Sequence, residues 1–95
     1  MFDMKKRVHV FYSGRVQGVG FRLTAEETAQ GLDIVGWVKN LRDGRVELLA
    51  EAEEETLRRF LDLIRTGPMK NFISQADVSW SSASGTFDEF EIRYY

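Results

Sequence analysis

Hydrophobic and polar positions alternate with two different periods along this 95-residue chain, and the changes of period mark out its elements. Val8, Val10 and Tyr12 alternate with His9, Phe11 and Ser13 at the two-residue period of a strand. After a glycine-rich stretch, Phe21, Ala25, Thr28, Ala29 and Leu32 recur at helical spacing, Glu26, Glu27 and Gln30 take the opposite face, and Gly31 marks the helix end. Ile34 to Leu41 is rich in β-branched and aromatic residues, Asp43-Gly44 is a hairpin signal, and Val46, Leu48, Ala50 and Ala52 alternate on the returning strand. Leu57, Phe60, Leu61 and Ile64 then form one helical stripe. Glu53-Glu54-Glu55 at its start and the basic Arg58, Arg59 and Arg65 complement the helix dipole, and Gly67-Pro68 stops it. Ala76, Val78 and Trp80 alternate once more, and beyond a Ser81–Gly85 turn so do Phe90, Ile92 and Tyr94.

The order βαββαβ with a further short C-terminal strand predicts an α+β, ferredoxin-like sandwich, a mostly antiparallel sheet with both helices on one face. That architecture serves many unrelated activities, so function has to be sought in a site. The candidate is Gly14-Arg15-Val16-Gln17-Gly18-Val19-Gly20-Phe21-Arg22, between the first strand and the first helix. Glycine lets backbone N–H groups turn inward, the following helix adds the partial positive charge of its N-terminus, and Arg22 brings a planar, permanently charged fork. Together these predict a cradle for phosphate, sulfate or carboxylate. The loop is not a Walker loop, since Phe21 follows Gly20, and not a dinucleotide fingerprint, since Leu23 stands where its third glycine belongs. Gly18-Val19-Gly20-Phe21 lacks the preceding basic residue and strand setting of an RNA-recognition motif. The topology lets this loop meet the far end of the second strand at one sheet edge.

Charge and composition narrow the partners. The formal net charge is −2 and there is no cysteine, so nucleic acid is not expected and disulfides, thiolate catalysis and cysteine-ligated zinc are excluded. No segment has the length of a membrane span. The run Val8 to Tyr12 behind Met1-Phe2-Asp3-Met4-Lys5-Lys6-Arg7 is too short for a signal peptide. The expectation is one domain over residues 1–95, cytoplasmic and monomeric. Arg15 reads as a solvated charge, His9 as a surface or core-edge residue, and Glu51, Glu53, Glu54 and Glu55 as a solvated helix start rather than a metal cluster. Trp37 and Trp80 are assigned to packing and Tyr94-Tyr95 to a strand edge.

Two stretches carry a resemblance. One is the loop Gly14 to Arg22; the other is Gly36-Trp37-Val38-Lys39-Asn40, continued by Gly44 and Val46. The first resembles the acylphosphatase signature Gly-x-Val-Gln-Gly-Val-x-Phe followed by Arg or Lys, and the second resembles the family's Gly-aromatic-small-x-Asn. The likeness covers nearly the whole chain. The family pattern closes with a glycine where this chain has Ala52, away from the reactive residues of both stretches. The resemblance implies hydrolysis of the carboxyl–phosphate bond of acyl phosphates to a carboxylate and inorganic phosphate, with no metal and no cofactor. In that family the arginine at Arg22 binds phosphate and the asparagine at Asn40 holds the attacking water. Backbone N–H groups of Gln17, Gly18, Val19, Gly20, Phe21 and Arg22 complete the cradle.

Elementary chemistry agrees with that assignment. A carboxylate leaves readily near neutral pH, so catalysis reduces to holding the phosphate, neutralising its charge and aiming a water. An asparagine amide both donates and accepts, and so can fix a water. Two other readings compete: a non-catalytic anion-binding regulatory module, and an accessory domain like those in large carbamoyl-transfer proteins of hydrogenase maturation. The chain begins and ends at the domain's edges, which points to a free-standing enzyme. Acetyl, carbamoyl and glycolytic acyl phosphates share the phosphate that the loop would hold.

Overall fold

The computed structural model describes residues 4–95, so Met1, Phe2 and Asp3 of the basic N-terminal stretch lie outside the described residues. The elements are β1 (Lys5–Gly14), α1 (Phe21–Gly31), β2 (Val35–Asn40), β3 (Val46–Glu53), α2 (Glu54–Thr66), a 3-10 turn (Lys70–Phe72), β4 (Ile73–Ser82) and β5 (Phe90–Arg93). The strands form one sheet in the order β4-β1-β3-β2-β5. Pairing is antiparallel from β1 to β3, β1 to β4 and β2 to β3, while β5 runs parallel to β2. This is the expected ferredoxin-like α+β fold with an added C-terminal strand.

Register decides which side chains meet the helices. Val8 opposes Ala50, Val10 opposes Leu48 and Tyr12 opposes Val46, while Val38 opposes Leu48 on the next ladder, and all of these are buried. Alternation puts them on one face of the sheet. Phe21, Ala25 and Ala29 of α1 and Leu57, Phe60 and Ile64 of α2 close over that face to complete the core. Ala52 is buried with them, and Glu53 enters α2 from an extended conformation (φ −64°, ψ 151°). Ala52 itself does not adopt positive φ, so no glycine is needed at this position.

β4 departs from the expected half-buried strand. Val78 and Trp80 oppose Val10 and Val8 and project to the helix side, yet they are 40% and 37% exposed. The reason is position: β4 is an edge strand, and α2 packs chiefly on β3 and β1. Instead of joining the core, Trp80 carries the Arg58 guanidinium 4.7 Å from its ring centroid. On the opposite, open face of the sheet His9 lies 2.6 Å from Glu47 and beside the Phe11 ring. Trp37 on that face carries the cations of Lys39 and Arg93.

Glu51 corrects a second expectation. It belongs to β3, not to a solvated helix start, and is 2% exposed. Its carboxylate accepts from Arg7 Nε at 2.8 Å, Ser84 N at 2.9 Å and Gly85 N at 3.1 Å, with Ser84 Oγ at 3.0 Å. These bonds pin the connection that leads from β4 at one edge of the sheet to β5 at the other. Burial works to raise the Glu51 carboxyl, but the Ser84, Arg7 and Gly85 donors outweigh it and hold its pKa below the ordinary value.

Because that pKa is lowered by folding, Glu51 contributes stability fully above about pH 4.3, the ordinary glutamate value, and loses it as the pH falls through the folded value. Glu51→Gln is expected to cost about 3 kcal/mol at neutral pH, the scale of removing one partner from a buried ion pair. The variant should also show a flatter fall in stability on acidification than the wild type. Urea unfolding from pH 7 down to pH 3 measures both.

Candidate active site

β1 and β2 are each antiparallel to β3 and therefore parallel to one another, which brings their C-terminal ends to the same end of the sheet. The loop after β1 and Asn40, the last residue of β2, meet there. They meet at an end of the sheet and not at an edge, because β3 stands between the two strands and β5 occupies the edge beyond β2. Gln17 ties the two segments together. Its Nε2 donates to the carbonyls of Leu41 at 2.7 Å and Arg45 at 2.9 Å, in the hairpin directly after Asn40. Val16, 1% exposed, anchors the loop in the core, and Arg15 N donates to Phe72 O at 2.9 Å.

Between these anchors Gly18 (φ 77°) and Gly20 (φ 82°) adopt left-handed backbone. A Cβ on either would meet nothing within 4 Å, so conformation and not space calls for glycine. α1 starts directly after Gly20 with no side-chain cap and no acidic residue in its first turn. Among the described residues no backbone N–H from Gln17 to Arg22 donates to a protein acceptor. Such a run of unclaimed donors at a helix N-terminus carries partial positive charge and is suited to an anion.

Arg22 adds a full charge. It is partly buried, and among the described residues no carboxylate pairs with it. Its guanidinium carbon lies 5.1 Å from the ring centroid of Tyr94. In the same cleft, Asn40 Oδ1 is buried with no hydrogen-bond partner among the described residues, an acceptor that costs free energy until something donates to it. Gly18, Gly20, Phe21, Arg22 and Asn40 line one cleft of about 270 Å³. Gln17 and Val19 do not line it: the Gln17 side chain holds the hairpin, and Val19 packs against the core. Arg15 is exposed, as expected of a solvated charge.

A second cleft, of about 240 Å³, lies between α2 and β4 and includes Tyr12, Leu61, Ala76 and Trp80. Its arginines are already paired, Arg58 with Glu54 and Arg65 with Asp62. Burial pushes the Tyr12 hydroxyl far above its ordinary pKa, so it stays neutral. Among the described residues the α2–β4 cleft thus has neither an unpaired arginine nor free loop N–H groups, unlike the cleft at the end of β1 and β2. Among the described residues no three His, Asp or Glu side chains are grouped to hold a metal ion.

The family model for acylphosphatase matches residues 8–92. The chain belongs to the acylphosphatase family. It is 45% identical over 87 residues to an acylphosphatase of Methylococcus capsulatus, covering 92% of this chain and 95% of that protein. The crystal structure of acylphosphatase from Bacillus subtilis superposes with a TM-score of 0.87 at 36% identity, over 94% of this chain and 99% of that one. T. kodakarensis HypF matches 93% of this chain with a TM-score of 0.79 at 28% identity, but only 12% of its own length is covered. The same fold thus also occurs as one part of a longer chain. This chain is a hydrolase acting on acyl phosphates.

Leu23, Ile92 and Tyr94 also line the cleft, and sequence reasoning assigned none of them to the site. β5 ends at Arg93, so Tyr94 lies beyond the strand to which it was assigned, 79% exposed, on the wall of the cleft that holds Arg22 and Asn40. Periodicity could extend the strand through it but could not bring it to Arg22.

Because both Gln17 bonds join the loop to the hairpin, Gln17→Ala is expected to lower stability by about 1 to 2 kcal/mol. It should also depress turnover by loosening Asn40 against the loop. Urea denaturation together with steady-state hydrolysis checks the pair; full activity with full stability would show that the hairpin is held by other means.

Proposed function

We propose that this chain hydrolyses the carboxyl–phosphate bond of acyl phosphates without a metal ion, releasing a carboxylate and inorganic phosphate, with Arg22 and Asn40 as its catalytic residues. The observation that carries this reading is convergence: among the described residues, unclaimed loop N–H groups, an arginine without a carboxylate and an asparagine oxygen without a donor share one cleft. The backbone N–H groups of Gly18, Gly20, Phe21 and Arg22, the loop residues that line the cleft, bind the phosphate oxygens, and Arg22 closes on two of them with parallel N–H groups. Asn40 accepts a hydrogen bond from the attacking water through Oδ1 and holds its oxygen in line with phosphorus and the departing carboxylate. The water's proton passes to a phosphate oxygen or to solvent. The reading takes the chain as a monomer with a single domain over residues 1–95. The lack of cysteine fits a cytoplasmic setting.

Steady-state hydrolysis of acyl phosphates, run before and after dialysis against a chelator, tests the reading directly. Turnover should be unchanged by the chelator. A requirement for an added divalent ion would overturn the metal-free mechanism, and phosphate binding without turnover would leave a non-catalytic anion-binding module.

Asn40→Ala should collapse kcat while leaving inhibition by inorganic phosphate nearly unchanged, because the amide serves the water and not the anion. Equal losses in both, with the fold intact by circular dichroism, would remove the water-holding role.

Arg22→Lys keeps the charge but loses the two-pronged geometry, and should cost about 2 to 4 kcal/mol in the transition state, roughly a hundredfold or more in rate. It should weaken phosphate inhibition as well. Arg15→Lys is the control and should change both quantities little; the opposite ranking would put the phosphate clamp on the wrong arginine.

A further inference from the structure

The cleft has two chemically different walls. Gly18, Gly20, Arg22 and Asn40 make the polar one, and Leu23, Ile92 and Tyr94 make the other. Leu23 and Tyr94 are 54% and 79% exposed, so two of the molecule's large solvent-exposed apolar side chains border this one site. Neither belongs to the core cluster, although Ile92 packs against it and gives the wall a fixed base. The apolar wall begins where the phosphate cradle ends: Leu23 follows Arg22 in the chain, and the Tyr94 ring lies against the Arg22 guanidinium. A phosphate held by Arg22 and the loop would therefore carry its acyl group beside Leu23 and Tyr94.

We propose that Leu23, Ile92 and Tyr94 form the subsite for the acyl group, and that it favours large apolar, above all aromatic, acyl phosphates over short ones. The inference rests on the acyl phosphate reading of the site. An aromatic acyl group shields the Leu23 and Tyr94 surfaces from water and can stack on the Tyr94 ring, whereas a methyl group reaches little of either. These contacts lie away from the reacting phosphorus and are alike in ground and transition states, so the preference falls on KM and not on kcat.

The test uses benzoyl phosphate and acetyl phosphate with the wild-type protein, Tyr94→Ala and Leu23→Ser, and reads the ratio of the two KM values. In the wild type KM should be about tenfold lower for benzoyl phosphate, the scale of a partly enclosed apolar contact. That ratio should shrink several-fold in Tyr94→Ala and shrink also in Leu23→Ser, while the ratio of the two kcat values stays the same. The competitive inhibition constant of inorganic phosphate, which has no acyl group, separates this from a role in holding Arg22. If Tyr94→Ala raises both KM values and the phosphate constant in parallel, Tyr94 serves the arginine and the acyl subsite is overturned. A wild-type ratio near one, or a ratio untouched by both substitutions, overturns it too while leaving acyl phosphate hydrolysis standing. If the wild-type protein turns over neither substrate, the underlying reading fails and the subsite falls with it.

Discussion

The parallel alignment of β1 and β2 across β3 is the constraint from which the site follows. Two strands that are each antiparallel to a third must point the same way, so the loop leaving β1 and the asparagine ending β2 are delivered to one end of the sheet. The Gln17 amide, spanning to the carbonyls of Leu41 and Arg45, turns that coarse alignment into a fixed juxtaposition. The core does the rest indirectly: Val16 and Phe21, both buried, hold the two ends of the glycine turn, so its N–H groups stay turned outward as a set.

Such a site is held at a cost to stability. Among the described residues, a buried carbonyl oxygen without a donor and a partly buried charge without a counter-charge disfavour the folded state until a ligand meets them. The remainder of the molecule has the opposite character: a closely registered core under two helices, paired charges on α2, and a Glu51 carboxylate saturated with donors. This division is expected where function is the reason for the exceptions. It also explains why the cleft between α2 and β4, though comparable in size, offers little to an anion.

Much of this was legible in the sequence because it depends on near neighbours. The strand and helix periods, the Asp43-Gly44 turn and the glycine loop are local, and the fold follows from their order. Arg22 and Asn40 stood out through the motifs around them. Glu51, Tyr94 and the edge position of β4 were not legible, for a common reason. Glu51 looked solvated because its partners, Arg7 and Ser84, come from a different strand and a distant turn. Tyr94 looked like one more alternating residue because its contact with Arg22 exists only after β5 pairs with β2. The alternation of Val78 and Trp80 marked a strand, but no local signal says that a helix covers β1 and β3 and leaves the neighbouring strand open.

The central claim is that the positive end of α1, the glycine loop and Arg22 act as one phosphate cradle with Asn40 at its side. Titrating the protein with inorganic phosphate while following backbone and side-chain amide resonances by NMR tests this most directly. The account predicts that the largest shifts fall on the amides of Gly18, Gly20, Phe21 and Arg22, with a smaller response at the Asn40 side chain. Shifts concentrated around Trp80 and Leu61 in the α2–β4 cleft, or none at all at concentrations that inhibit hydrolysis, would contradict it.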